Sequence, residues 1–312
     1  MLKRRALKKI FVTTFTVVLL LTIYFIPTKG KEESLAIDPD FQYIDISYQN
    51  IYLLNDVNQL VRTPIKINAD NFLEKVKIAI NNLILSNSNI IPYGLNGVLP
   101  KNTEILDIRI DEGILSLQFS DEILEIDTDK EEQMIESISY TAFEFDEIEG
   151  IVLYVGDKNL NEYLHVSIPS VITRDFGINK EYDVTYLDNI EKIVVYYIDE
   201  INDKNYYVPV TKYINDDRDK IKIIIDELRG NSVYSPNLIS YLDRNAELIH
   251  YEINNDVMML HFNNSIFMSG DTILEEVVYS ICYSVFDNYD VESVSFLVDN
   301  KEILKKMEKD IE

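Results

Sequence analysis

The chain has 312 residues, 46% hydrophobic and 27% charged, which is enough apolar material for folded domains rather than an acidic disordered tail. Its net charge of −25 makes nucleic acid and anionic lipid surfaces poor partners. A single cysteine excludes an intrachain disulfide, and nine glycines form no glycine-rich phosphate loop.

The chain opens with Lys3, Arg4, Arg5, Lys8 and Lys9, then an uncharged apolar run from Ile10 to Ile26. At ~1.5 Å per residue that run reaches the lower limit for crossing ~30 Å of hydrocarbon. A cleaved signal peptide would need small residues at its end, but Tyr24-Phe25-Ile26-Pro27-Thr28-Lys29 has no A-x-A pattern and no nearby cysteine for lipid attachment. The expectation is an uncleaved anchor over 10–26 behind a basic cytoplasmic tail, 1–9, with everything beyond on the outer side by the positive-inside rule. Residues 27–47 read as a polar tether.

Beyond the tether the chain is written twice. Leu106, Ile108, Ile110, Leu115, Leu117 and Phe119 recur 143 positions later as Ile249, Tyr251, Ile253, Met258, Leu260 and Phe262. The helical segment from Glu74 to Leu83 parallels Asp219 to Leu228, and Ile151–Lys158 parallels Val294–Lys301. Units this long can each bury a core. The spacing therefore predicts a first domain at 48–159, a connector at 160–192, a second domain at 193–304 and a charged tail at 305–312.

Within the first unit, Ile51–Leu54 reads as a strand and Val61–Ile67 as a second. Leu73, Val76, Ile80, Leu83 and Ile84 follow at helical spacing, with Asn71 and Glu74 placed as a capping box. After a Pro/Gly-marked loop, 104–120 alternates with period two around Asp111-Glu112-Gly113, a β-hairpin. Thr128 and Glu131 are placed as another capping box before a helix bearing Ile135, Ile138, Ala142 and Phe145, and Ile151–Val155 closes the unit. The second unit repeats this order, with Asn254-Asn255-Asp256 at the hairpin turn, residues that tolerate positive φ. The predicted fold class is α+β: two tandem β-α-β-β-α-β domains, each a mostly antiparallel sheet with two helices on one face. The connector's Leu164, Val166, Ile168, Val171, Ile172, Phe176 and Ile178 argue that it packs rather than floats.

Pro100-Lys101-Asn102-Thr103, Gly113, Leu117–Ser120, Ile138–Phe145 and Val155-Gly156 together resemble the GerM domain of sporulation and germination proteins, here in tandem. Thr173–Asn179 is similar to that family's linking segment. The second copy departs from the pattern at Asp243, in place of Pro100, at Asp256, in place of Gly113, and at Asp299-Asn300, in place of the Gly156 region. The resemblance covers roughly 48–304. It implies ring-building-motif-like domains in a non-enzymatic protein that supports assembly of a sporulation envelope complex. It also implies exported or membrane proteins as partners, and self-association through helix and sheet surfaces. It transfers no catalytic, cofactor or metal residue. Family members are often lipoproteins, whereas no cysteine lies near residue 26 here, and the expectation is a membrane helix instead.

The residues themselves suggest little chemistry. Asp127 and Asp129, like Asp216, Asp217 and Asp219, precede helices and read as caps rather than a carboxylate dyad. His165, His250 and His261 lack zinc-site spacing, although His250 and His261 fall opposite each other on a hairpin. Cys282, flanked by Val278, Ile281 and Val285, reads as a buried inert thiol. Tyr196, Tyr197, Tyr206, Tyr207, Tyr234 and Tyr241 fit half-buried strands or a binding groove, so a peptidoglycan-binding protein is the alternative reading and an acid-rich hydrolase the weakest.

Overall fold

The computed structural model describes residues 11–18, 47–69, 71–85, 91–230, 235–268 and 270–310. Residues 11–18 are helical, and the remainder of the expected anchor and nearly all of the tether lie outside the described residues. Among the described residues no helix is long and apolar enough to cross a membrane.

From residue 46 onward the two repeats form one compact unit. The first repeat contains β1 (Ser47–Leu54), β2 (Leu60–Ile67), α1 (Phe72–Asn81), β3 (Ile105–Asp111), β4 (Ile114–Phe119), α2 (Glu131–Phe143), β5 (Gly150–Val155) and β6 (Lys158–Asn159). The connector contributes β7 (Glu181–Asp183). The second repeat follows with β8 (Glu191–Ile201), β9 (Lys204–Ile214), α3 (Lys220–Arg229), β10 (Leu248–Asn254), β11 (Val257–Phe262), α4 (Glu275–Phe286), β12 (Ser293–Val298) and β13 (Lys301–Met307).

Each repeat builds a four-stranded sheet, β3-β4-β5-β6 or β10-β11-β12-β13. The crossovers through α2 and α4 make β4/β5 and β11/β12 parallel, while the other pairs are antiparallel. The expectation of one sheet per domain is corrected here. The first hairpin of each repeat leaves its own sheet, and β1-β2 and β8-β9 join β7 in a third sheet of five strands. Helix α2 touches both β1 and β5, so it lies between two sheets. Eleven of its 13 residues are buried, from Met134 through Phe143 and at Glu131, which explains why polar Ser137, Ser139 and Thr141 occupy a core helix. A final strand, β6 or β13, is a second departure from the expected order.

The predicted hairpin turns form as read. Glu112 and Gly113 have φ of 45° and 77°, and Asn255 and Asp256 have 47° and 62°. Both are the doubly left-handed turn that matches strand twist. Asp299 and Asn300, at φ 51° and 60°, do the same between β12 and β13, so the second copy's departures preserve turn geometry.

The uniform alternation expected of 104–120 and 247–263 breaks at one place in each repeat. The register shifts between Ile105 and Asp107, and again between Leu248 and His250. A bulge turns the extra residue away from the core. Leu106 and Ile249 are accordingly 57% and 66% exposed rather than buried.

One capping box forms and the other does not. Asn71 Oδ1 accepts the Glu74 N–H at 2.8 Å, and the two side chains meet at 3.2 Å. At α2, the turn Thr128–Lys130 is 3₁₀, Lys130 occupies the cap without a side-chain bond, and Glu131 is diverted elsewhere. Its carboxylate accepts the N–H groups of His165 and Val166 at 2.7 and 2.9 Å and lies 2.9 Å from His165 Nδ1. The connector is thereby pinned to the helix, with Leu160, Ile168, Ile172 and Ile178 buried.

Candidate functional site: the seam between the repeats

The repeats meet where β2 and β9, the second strands of equivalent hairpins, pair antiparallel at Arg62 and Tyr207. Tyr52 and Arg62 are cross-strand neighbours on β1 and β2. Both reach Glu144, immediately after α2: the Tyr52 hydroxyl donates at 2.6 Å, and Arg62 donates through Nε and Nη2 at 2.9 and 2.8 Å. Asn50 Nδ2 adds a bond at 3.1 Å. A bidentate guanidinium and a hydroxyl satisfy most of the carboxylate's lone pairs, which makes so buried a charge tolerable. Burial alone would push the carboxyl up, but the Arg62 charge and these bonds outweigh it and hold Glu144 below its usual range.

The second repeat builds the same half-site differently. Tyr196 on β8 donates to Asp287, immediately after α4, at 2.8 Å. The register that sets Arg62 opposite Tyr52 sets Pro209 opposite Tyr196, so that position has no cation to offer. The connector provides it instead. Arg174 approaches Asp287 at 3.4 Å and also donates to the Phe143 carbonyl at the end of α2. This looser contact offsets less of the burial cost, and the Asp287 carboxyl is pushed up from its ordinary value. The cavity between the half-sites is about 110 Å³, well short of the ~300–1,000 Å³ typical of ligand pockets. It can hold ordered water.

The rest of the Thr173–Asn179 segment ties the repeats together. Gly177, at φ 80° and against Thr211, gives the chain a left-handed bend that favours glycine. Beyond it, Asn179 at φ 46° inserts its amide between the central strands. Its Oδ1 accepts the Leu60 N–H, and its Nδ2 donates to the carbonyls of Leu60 and Pro209, each at 2.8 Å. The side chain thus bridges β2 and β9 where they no longer pair directly. Lys180 then pairs with Glu132 and Glu136 of α2 at 2.7 and 2.8 Å.

Beside the seam lies a larger cleft of about 620 Å³, lined by Tyr48, Tyr206, Tyr207 and Tyr283 together with Pro64, Pro92 and polar side chains. Tyr207 meets Tyr283 and Tyr279 edge-on, with ring centroids 5.1 and 6.0 Å apart. The Arg62 guanidinium sits 4.5 Å over the Tyr283 ring. These contacts fix the aromatic wall before any ligand arrives.

The residues singled out from sequence mostly take structural places. Asp127 pairs with Lys130 at 3.4 Å and Asp219 with Lys222 at 2.7 Å; neither makes a cap bond. His250 and His261 do oppose each other, rings 5.6 Å apart. No group of three or more metal-ligating side chains occurs among the described residues. Cys282 is fully buried, and burial pushes its thiol up. Tyr196, Tyr197 and Tyr206 are core residues, Tyr241 is 37% exposed, and Tyr234 lies outside the described residues. Glu144, Asp287, Arg62 and Arg174 were not singled out. Their sequence signals are an acid after the second helix in each copy and the place of Glu144 and Arg174 inside the Ile138–Phe145 and Thr173–Asn179 segments.

Comparison with known proteins agrees with the duplicated architecture. The profile of the family described as Germane, sporulation and spore germination, matches residues 50–161 and 194–304. The chain is 33% identical over 224 residues to the spore germination protein GerM of Bacillus subtilis (strain 168). That alignment takes in 69% of this chain and 61% of the relative's length. The solved structure of the tandem GerMN domains of the sporulation protein GerM from Bacillus subtilis superimposes with a TM-score of 0.76 at 29% identity, covering 83% of this chain and 93% of that one. The chain belongs to the Germane family of sporulation and spore germination proteins.

Proposed function

We propose that this chain is a non-enzymatic scaffold, anchored in the cell membrane through residues 10–26 with its repeats on the outer side. In this reading it supports assembly of an envelope complex in sporulation or germination. The observation that carries the reading is the welded seam. Asn179, whose amide bonds both β2 and β9, Arg174, which joins the Phe143 carbonyl to Asp287, Asn55, which donates to Asp199, and Arg62, which lies over the Tyr283 ring, hold the two repeats as one body. A rigid pair of like modules suits presentation of partner surfaces at fixed spacing better than turnover of a substrate. The bulge residues Leu106 and Ile249 place an exposed apolar side chain at the same site of each repeat, which supports repeated protein contacts.

In-cell crosslinking of the tagged full chain in a sporulating host, followed by identification of captured proteins, tests the reading. Capture of exported or membrane proteins that is lost in a Leu106→Asp/Ile249→Asp variant is the expected result. Capture of none would remove the scaffold. Protease accessibility of the repeats in intact protoplasts tests the orientation separately.

A further inference from the structure

We propose that the tyrosine-lined cleft beside the seam binds a carboxylate-bearing glycan. The inference adds to the scaffold reading and stands on the cleft alone, requiring no protein partner.

The wall chemistry selects the class. Sugar rings present flat C–H faces that stack on aromatic rings, with hydroxyls at the edges that need donors and acceptors. The cleft is lined by exposed Tyr48, by Tyr207 and Tyr283 and by the more buried Tyr206, with Asn50 and Asn205 as polar edges. Its volume of about 620 Å³ falls within the range of small-ligand sites. Tyr207 on β9 and Tyr283 on α4, held by other aromatic contacts, lose little entropy on binding.

Charge narrows the class further. The protein carries 54 acidic and 29 basic side chains, yet the charged side chains lining this wall are Arg62, already paired with Glu144, and the exposed Lys204. Lys66 adds a second exposed cation, its Nζ 5.5 Å from the Tyr48 ring. These two exposed lysines favour an anionic ligand at a surface that otherwise repels one.

The backbone argues against an added peptide strand. Leu60 directs its N–H and C=O toward β9, where Asn179 meets them. Backbone groups alternate sides along a strand, so Pro64, four residues on, turns the same way into the cleft. Proline has no N–H to offer there, which blocks the ladder an extended peptide would need.

The test is titration of the full chain, solubilised in detergent, with soluble N-acetylmuramic-acid-containing glycan fragments. Neutral chitooligosaccharides and a proline-rich peptide serve as comparison ligands. The chain has 21 tyrosines, of which four line the cleft, so binding is read by titration calorimetry and assigned to the cleft by variants. Tyr48 is 61% exposed and Lys204 is exposed, so Tyr48→Ala and Lys204→Ala leave the fold intact, which an unchanged melting temperature verifies. The expected result is saturable binding of the acidic fragments, weaker binding of the neutral ones, and a loss of about tenfold in each variant, the scale of one stacking or charge contact. Absence of saturable binding, affinity unchanged in both variants, or preferential binding of the proline-rich peptide would each overturn the proposal. None of these results bears on the crosslinking experiment, so the two readings fail separately.

Discussion

Glu144 and Asp287 stand at the same place in the two repeats, one residue beyond the second helix, and each accepts the hydroxyl of an equivalent tyrosine. The backbone around them is matched as well: the Tyr52 N–H donates to Thr141 and the Tyr196 N–H to Ser284. What differs is the cation. Arg62 grips Glu144 with two bonds from the adjacent strand, whereas Arg174 reaches Asp287 at 3.4 Å from the connector.

That difference gives the two carboxylates opposite responses to pH. Glu144 titrates below its ordinary range in the folded protein, so its contribution is complete above the unfolded value and is lost as pH falls through the folded one. Asp287 titrates above its ordinary range, so its ionised form opposes folding at neutral pH, and protonation relieves that cost as pH falls through the folded value. Glu144→Gln is expected to destabilise by about 3 kcal/mol at neutral pH, the scale of breaking a buried pair, with the deficit closing in acid. Asp287→Asn is expected to stay within about 1 kcal/mol of the parent. Urea midpoints measured from neutral to acidic pH check both, and equal losses would refute the asymmetry.

Asn179 joins the two central strands through its side chain. Replacing it with alanine leaves the Leu60 N–H and two carbonyls without their bonds and strains a positive φ, so a loss of about 3 kcal/mol is expected. Asn179→Gly removes the strain but not the loss of bonds, so it should recover only a minor part. Amide exchange at Leu60 should accelerate in both variants.

Glu131 is 5% exposed and its partner His165 is 74% exposed. Burial opposes ionisation of Glu131, but bonds from the His165 ring and from the Val166 and His165 N–H groups hold it below its usual range. Glu131→Gln should therefore cost about 1–2 kcal/mol and loosen the connector, while His165→Ala, which keeps both backbone donors, should cost little. Limited proteolysis between residues 160 and 180 distinguishes the two.

Cys282 packs at 0% exposure on α4, and burial raises its thiol. It should resist a disulfide reagent in the native protein and react fully once unfolded by guanidinium. Native reactivity at the rate of a free thiol would contradict the packing.

Much of the fold was legible locally. Period-two stretches gave β3-β4 and β10-β11, helical stripes gave α1 to α4, and the Asn71/Glu74 box formed as spaced. The misreadings arose where long-range partners overruled local signals. Glu131 has capping-box spacing but finds two backbone N–H groups in the connector, which outcompete a helix end. Leu106 and Ile249 fit the alternation, but a bulge in each hairpin turns them outward.

The sequence by itself determined that one fold occurs twice, where its turns lie and which faces are apolar, because these depend on residue spacing and on the φ values that Gly, Asn and Asp tolerate. Tertiary structure alone decided that the repeats share a sheet, that Asn179 and Arg174 fasten it, and that the tyrosines border a cleft. Those outcomes depend on pairings between residues 30 to more than 100 positions apart, and local periodicity carries no information about which distant strand edge or buried charge a side chain will meet.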